Sequence, residues 1–372
     1  MLRCWWLVLF SVCIATRLAS AKSLPEGKLI VAYATHCDAK VIEEVSLGVN
    51  VLIWFAASLG KDAQGNPSVL NGFDSQCIAQ TAKTLAEKGL ETAHLMSIGG
   101  WNAPHPDTAW TGAEWWEVWK KWNQGMAHPE LGFHGFDGID WDLEGNDKVS
   151  SPWNHFTAEC MDLVGTMSQA AKQDGFVVTL VPPQSYFDAT TSKFDLSLLH
   201  AYSYFHPEFA YHGFNAYALW WTKYGMANAT LPTFDFVDIQ FYESYSPADY
   251  SINGRGQNPA EYITGLVRQL AAGWTVDFSS VPEVAFPSTT VAVPAPQLVI
   301  GFARGGENGR SVFVWPSSVG EAFASLGADA PRGVMFWNVE NDGGEVNGTS
   351  TTCSYATEFN KFLHIRAQPI VE

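Results

Sequence analysis

The sequence predicts an α/β protein built as one closed barrel of eight parallel strands that alternate with helices, a (β/α)8 or TIM barrel. Three observations lead to this prediction. Runs rich in Val, Ile and Leu recur along the chain, segments with helical periodicity separate them, and no linker, low-complexity tract or repeat divides the 372 residues. Continuous apolar strands imply a parallel sheet covered on both faces, and eight strand and helix pairs imply closure into a single domain.

The elements follow from these runs and from the residues that end them. Strands are predicted at 28–34, 49–56, 91–98, 136–145, 176–181, 236–242, 297–302 and 333–337. Helices are predicted at 38–47, 74–88, 112–124, 152–174 and 259–272, shortly after 317, and at 354–362. Asp38 and Asp74 are expected N-caps, and Pro152 stands where its missing N–H costs nothing.

Two connections carry further information. The connection after strand seven is short, so it leaves no room for an inserted α+β domain. The connection from 184 to 235 is long and rich in Tyr, Phe, Trp and His. It is either a wall of the cleft at the end of the barrel or a helix with ordinary aromatic packing.

The first residues form a separate segment. A basic Arg3, an apolar run at 4–15 and the small residues at 19–21 make the pattern of a secretory signal peptide. The apolar run is too short to span a bilayer. The sequence therefore predicts a signal peptide at 1–21, the barrel at 22–372, and a secreted, extracellular protein.

The cysteines that remain after removal of the signal are Cys37, Cys77, Cys160 and Cys353. Four cysteines allow three pairings, and an oxidising compartment favours some pairing. In the predicted barrel, Cys37 and Cys77 belong to neighbouring units whereas the other two lie far apart, so we expect a Cys37–Cys77 disulfide. The sequons at Asn228 and Asn347 are expected glycan sites in a host that glycosylates.

Net charge and aromatic content indicate which classes of binding partner suit the protein. The formal net charge of −17 argues against nucleic acid and anionic membranes. The 16 tryptophans suit a carbohydrate, since indole faces stack on sugar rings, although most tryptophans in any chain are core. The sequence has no metal-ligand spacing of Cys, His and Asp and no glycine-rich phosphate loop, so we expect no metal and no other cofactor. We expect a monomer.

The most informative stretch is strand four, where acids alternate with apolar residues: Asp140, Asp142 and Glu144 against Ile139, Trp141 and Leu143. Successive side chains of a strand point to opposite faces, so the three acids share one face. If the apolar face packs against helices, the acidic side chains point into an enclosed space. At least one of these acids should therefore hold a proton near neutral pH. A protonated acid beside an ionised one is what cleavage of a glycosidic bond requires. The alternatives are a solvated acidic loop, which would not need the strict alternation of Ile, Trp and Leu, and a cation-binding loop, for which the EF-hand spacing is absent.

The spacing of Asp137, Asp140, Asp142 and Glu144 resembles the DxxDxDxE signature of the family 18 glycoside hydrolases, the chitinases and their relatives. Two other strand ends are similar to motifs of that family. The sequence SIGGW at 97–101, on strand three, resembles the SxGG motif, and QFY at 240–242 resembles the strand-six motif. Glu243 departs from the family pattern because relatives usually have Asn or Asp there.

The resemblance implies catalysis assisted by the substrate, in which the carbonyl oxygen of the 2-acetamido group is the nucleophile. It implies Glu144 as the general acid and later the general base, and Asp142 as the acceptor of the acetamide N–H. Asp140 would exchange a proton with Asp142, Tyr242 would donate to the acetamide carbonyl, and Asp137 would support the strand.

The resemblance also implies a substrate-binding surface. Trp337 would form the floor of the sugar subsite beside the cleaved bond. The other expected contacts are Gln240, Tyr33, Phe55, Gly99, Gly100 and Trp101, although Tyr33 and Phe55 are nearly as well explained as core residues. Trp116 and Trp119 are further candidate platforms for sugar rings.

These observations predict a secreted, endo-acting chitinase that hydrolyses β-1,4 bonds between N-acetylglucosamine units of chitin or chito-oligosaccharides with retention. The short connection after strand seven favours the open groove that endo action needs. One alternative is an endo-β-N-acetylglucosaminidase acting on N-glycans with the same acids. The other is a chitin-binding lectin or an inhibitor without activity, although relatives of that kind commonly lack the acid at the position of Glu144.

Overall fold

A computed structural model describes residues 23–146, 148, 150–199, 212–243, 246–304, 312–346 and 350–365. The predicted signal peptide and the sequon at Asn347 lie outside these residues. The sequon at Asn228 is exposed, and its side-chain oxygen accepts a hydrogen bond from the backbone N–H of Thr230 at 3.0 Å.

Eight parallel strands close into a barrel, as predicted. Around the ring they are β1 (Leu29–Ala34), β2 (Val51–Lys61), β4 (Ala93–Gly100), β5 (Gly138–Leu143), β6 (Val177–Leu180), β7 (Phe236–Gln240), β10 (Leu298–Ala303) and β11 (Gly333–Trp337). Strand β1 pairs in parallel with both β2 and β11, which closes the ring. The next helix begins at Pro316, shortly after β10, so no inserted domain follows the seventh barrel strand.

Three further strands were not predicted. Strand β2 continues beyond the barrel and pairs antiparallel with β3 (Pro67–Asn71). The turn between them is stabilised by Asp62, whose side chain accepts backbone N–H bonds from Gln64 and Asn66. Strands β8 (Trp274–Val276) and β9 (Thr289–Val291) form a separate two-stranded sheet. These short strands lack the long apolar runs on which the sequence prediction depended.

The helices are α1 (Ala39–Leu47), α2 (Ser75–Glu87), α3 (Gly112–Met126), α4 (Ala158–Gln173), α5 (Ala216–Lys223), a single turn α6 (Pro247–Asp249), α7 (Pro259–Ala272), α8 (Pro316–Leu326) and α9 (Tyr355–Leu363). Asp38 and Asp74 cap α1 and α2 as predicted. The helix predicted from 152 begins later, because the side chain of Thr157 caps α4 by accepting from the Cys160 N–H at 3.1 Å.

The core has two layers. Outward-facing strand residues such as Ile139 and Trp141 pack against the helices, whereas Val31, Leu95 and Met335 fill the inside of the barrel. The expected disulfide joins Cys37 to Cys77, with 6.1 Å between their Cα atoms.

Two candidate sugar platforms are wrong. Trp116 and Trp119 are only 2% and 0% exposed, because they lie on the inner face of α3 and pack on Phe176. The helical spacing of the tryptophans on this helix is a core pattern.

Candidate active site

The acidic strand places its carboxyls inside the barrel. Asp140 and Asp142 lie on β5 and are 0% and 4% exposed, and the partly exposed Glu144 follows at the end of the strand. Ile139, Trp141 and Leu143 belong to the layer under the helices, so the predicted alternation is confirmed. Asp137 lies at the start of the strand, where its side chain accepts the N–H of His94 at 2.9 Å.

Asp140 is enclosed by three hydroxyl donors. The Tyr33 hydroxyl donates to Oδ2 at 2.7 Å and the Ser97 hydroxyl to the same oxygen at 3.2 Å. The Thr179 hydroxyl donates to Oδ1. Burial raises the pKa of Asp140 to about 6, and the three hydrogen bonds oppose that rise by stabilising the ionised form. Asp140 therefore changes charge close to neutral pH.

Asp142 and Glu144 form a coupled pair. The two carboxyls hydrogen-bond to each other, and the side-chain N–H2 of Gln240 donates to Asp142 at 3.0 Å and to Glu144 at 3.4 Å. Burial raises the pKa of Asp142 well above its usual range, and the nearby charges of Glu144 and Asp140 raise it further. Burial also raises the pKa of Glu144. Two carboxyls that hydrogen-bond to each other share one proton, which provides an acid beside a carboxylate.

The glycines at the end of β4 permit two close approaches. Gly99 and Gly100 have φ values of +114° and +106°. A Cβ atom on Gly99 would lie 2.3 Å from the backbone oxygen of Asp142, and one on Gly100 would lie 2.3 Å from the ring of Phe55. Larger residues here would displace the backbone of Asp142 and the ring of Phe55.

Aromatic rings lie beside the acids. The Trp337 ring centroid lies 5.4 Å from that of Tyr33 and 4.9 Å from that of Phe55, and both Trp337 and Phe55 are partly exposed. Trp101 follows Gly100 and is 62% exposed, as a sugar platform would be. Burial raises the pKa of Tyr242 well above its usual range, so its hydroxyl remains a donor.

Apart from Asp137, which lies at the start of β5, the predicted residues lie towards the C-terminal ends of the barrel strands, and the structure adds others that the sequence analysis missed. Thr179 was detectable, because it is a polar residue at an inward position between Val177 and Val181. The hydroxyls of Tyr217 and Tyr186 accept the backbone N–H groups of Leu143 and Gly145 at 2.6 and 3.2 Å.

One further neighbour of the acid row is His105, whose Nε2 lies 3.1 Å from the backbone oxygen of Glu144. Burial lowers the pKa of His105 to about 4, so it is neutral near pH 7. His105, Tyr186 and Tyr217 hold the backbone around Glu144 from loops and helices remote in sequence, and no local pattern marks them.

The described part of the long connection has one of the two forms considered for it, a helix with ordinary aromatic packing. Its described part contains α5, in which Tyr217 and Trp220 are fully buried in ordinary aromatic packing. Tyr186, however, reaches the end of the acidic strand. Residues 200–211 of the connection lie outside the described residues.

Metal sites and membrane-spanning helices are both absent from the described ranges. Within them, no group of three or more His, Cys, Asp or Glu side chains is arranged to hold a metal ion. No helix in the same ranges combines the length and the apolar character needed to cross a bilayer.

Comparison with known proteins identifies the fold. No protein-family model and no curated protein sequence matches the chain. Among solved structures it is similar to a family GH18 chitinase from Chromobacterium violaceum, with 16% identity and a TM-score of 0.52 over 91% of this chain and 82% of that one. It is also similar to the ChiA C-terminal domain of Legionella pneumophila (16% identity, TM-score 0.55, 84% and 93% coverage). A GH18 chitinase from Pseudoalteromonas aurantia matches at 13% identity and a TM-score of 0.52, over 91% of this chain and 100% of that one.

At these identities the likeness concerns the fold. The chain has the (β/α)8 barrel of the family 18 glycoside hydrolases, which confirms the resemblance at that level.

Proposed function

We propose that the protein is a secreted, endo-acting chitinase that cleaves β-1,4 bonds between N-acetylglucosamine units with retention. The observation that carries the proposal is the row of carboxyls on β5. In this row Asp140, which can ionise and accepts three hydrogen bonds from hydroxyl groups, lies next to Asp142 and Glu144, which share a proton. The disulfide between Cys37 and Cys77 supports an oxidising, extracellular location.

In the first step the sugar beside the cleaved bond rests on Trp337. Glu144 donates its proton to the glycosidic oxygen, and the bond from C1 to that oxygen breaks. The acetamide carbonyl oxygen of the same sugar forms a new bond to C1, which gives a cyclic oxazolinium ion. The carboxylate of Asp142 accepts the acetamide N–H, and the Tyr242 hydroxyl donates to the carbonyl oxygen.

In the second step water enters on the face that the leaving group vacated. The Glu144 carboxylate removes a proton from the water, whose oxygen attacks C1 and opens the ring with net retention. Asp142 must be ionised while it stabilises the oxazolinium ion, so the one proton of the pair must lie on Glu144 when the bond breaks, and any second proton on Asp142 must pass to another group. Asp140 is suited to take this proton because its pKa lies near 6 and its three donors fix its position.

The test is hydrolysis of a chito-oligosaccharide series by the mature protein, by Glu144→Gln and by Glu283→Gln, with products resolved by length. Glu283 is an exposed acid on a surface turn, so its replacement controls for the change of net charge. We expect Glu144→Gln to lose at least the roughly 10²–10⁴-fold that general acid catalysis contributes.

Other results would favour other functions. Products of cleavage at internal bonds support endo action, whereas release of single units or dimers from one end would contradict it. Cleavage of N-glycans but not of chitin oligomers would indicate the endo-β-N-acetylglucosaminidase. Binding without cleavage by the unaltered protein would indicate a lectin.

A further inference from the structure

Glu243 is a fourth carboxyl near the acid row, and the predicted mechanism does not use it. It follows Tyr242 beyond the end of β7 and is partly exposed. Its carboxyl is fixed by Ser185, whose backbone N–H donates to Oε2 at 2.8 Å and whose hydroxyl donates to Oε1. Ser185 itself is 1% exposed and lies in the turn after β6. The carboxyl is therefore held in one orientation between two neighbouring barrel strands.

The surroundings of Glu243 are acidic. Burial raises the pKa of Glu243 to about 8, the hydrogen bonds from Ser185 oppose that rise, and the charges of Glu144 and Asp188 add to it. Within the described residues, no lysine or arginine forms an ion pair with Glu243. Within the described part of the chain, the ionised form of Glu243 has two hydrogen bonds but no positive charge paired with it.

A ligand with a positive charge would supply the charge that the described residues do not place beside Glu243. Fully acetylated chitin carries only neutral acetamide and hydroxyl groups. Chitin that has lost some of its acetyl groups carries a 2-ammonium group on each glucosamine unit. A charge-assisted hydrogen bond from an ammonium to a fixed carboxylate is among the stronger polar contacts in proteins.

We propose that Glu243 is a specificity-determining residue that binds the ammonium group of a glucosamine unit, so that the natural substrate is partly N-deacetylated chitin. The inference rests on the proposed function, because the sugar at the cleaved bond must keep the acetamide that attacks C1. The glucosamine unit therefore occupies a neighbouring subsite.

The test uses a chitosan of about equal acetylated and deacetylated content, with the residues at the new chain ends identified by mass spectrometry. The enzymes compared are the unaltered protein, Glu243→Gln, which keeps the shape but not the charge, and the exposed control Glu283→Gln. A hydrogen bond to a charged group contributes about 1.5–3 kcal/mol, so we expect a roughly 10- to 150-fold preference for glucosamine in one subsite. Glu243→Gln should lose this preference, and the control should keep it.

A second measurement separates charge recognition from a structural role. Binding of a glucosamine tetramer should release protons near pH 7, because an ammonium neighbour lowers the pKa of Glu243. Calorimetry in two buffers of different ionisation enthalpy measures this release. The unaltered protein and Glu283→Gln should release the same number of protons on binding, and Glu243→Gln should release fewer.

Three outcomes would overturn the inference: no preference in the unaltered protein, the same preference in Glu243→Gln, or a preference that raising the salt concentration leaves unchanged. The last comparison needs no variant, so it stands even if Glu243→Gln fails to fold. If the protein cuts neither chitosan nor acetylated oligomers, the proposed function fails. The calorimetric experiment then still tests Glu243 as an ammonium site.

Discussion

Replacing Asp238 with Asn should stabilise the protein at neutral pH, whereas the same replacement at Asp140 should not. Both carboxyls lie inside the barrel and are 0% exposed. Asp140 accepts bonds from three hydroxyl groups, but neither oxygen of Asp238 has a hydrogen-bond partner within the described part of the chain. The pair therefore allows one substitution to be compared at two sites that differ mainly in their donors.

The expected magnitude follows from the cost of an unpaired buried group. Burial raises the pKa of Asp238 well above its usual range, and the charge of Asp140 raises it further. The folded protein thus keeps a proton on Asp238 that the unfolded chain loses above about pH 4. Because the folded state binds more protons, stability falls as pH rises above that value.

Asn does not titrate, so Asp238→Asn removes this loss. At pH 7 we expect it to raise the free energy of unfolding by about 1–3 kcal/mol, and at pH 4 to change it little. Asp140→Asn places an amide N–H2 against hydroxyl donors, so at pH 7 it should be less stable than Asp238→Asn by about 1–3 kcal/mol.

The assay is urea unfolding of the unaltered protein and both variants at pH 4 and pH 7, followed by tryptophan fluorescence. A midpoint for Asp238→Asn below that of the unaltered protein at pH 7 would refute the reasoning. So would a gain of equal size at both pH values, since it would not come from the ionisation of Asp238.

Two further predictions concern activity. Gly100→Ala should lower kcat/KM on chito-oligosaccharides about 10- to 100-fold, because the added Cβ would lie 2.3 Å from the ring of Phe55 and overpacking typically costs about 1–3 kcal/mol. Gly89→Ala, also at a positive φ but with open space around it, is the matched control and should retain kcat/KM. Tyr33→Phe should move the acidic limb of the pH profile of kcat upward by about one unit, because Asp140 loses a donor to its ionised form. An unmoved limb would show that Asp140 does not control it.

Sequence patterns predicted those parts of the protein that depend on local periodicity. The alternation along β5 predicted which face the acids share, and the apolar runs predicted all eight barrel strands. The expected Cys37–Cys77 disulfide followed from placing the two residues in neighbouring units of that barrel.

Contacts between remote segments were beyond the reach of such patterns. Tyr217 reaches the N–H of Leu143 from a helix that lies far away in sequence, and nothing in its neighbourhood indicates this contact. Trp116 and Trp119 were misjudged although a local pattern was present. Their aromatic character suggested sugar binding, whereas their helical spacing indicates that they lie in the core. Asp238 could have been noticed, because it shares the inward face of β7 with Gln240.

The central claim is that the substrate's own acetamide attacks C1 while Glu144 and Asp142 manage the protons. The most direct test is proton NMR of the first products released from a chito-oligosaccharide, recorded before the anomers equilibrate. Two displacements at C1 predict that the new reducing end appears as the β-anomer. An initial α-anomer would mean that water attacks C1 directly, and it would contradict the account.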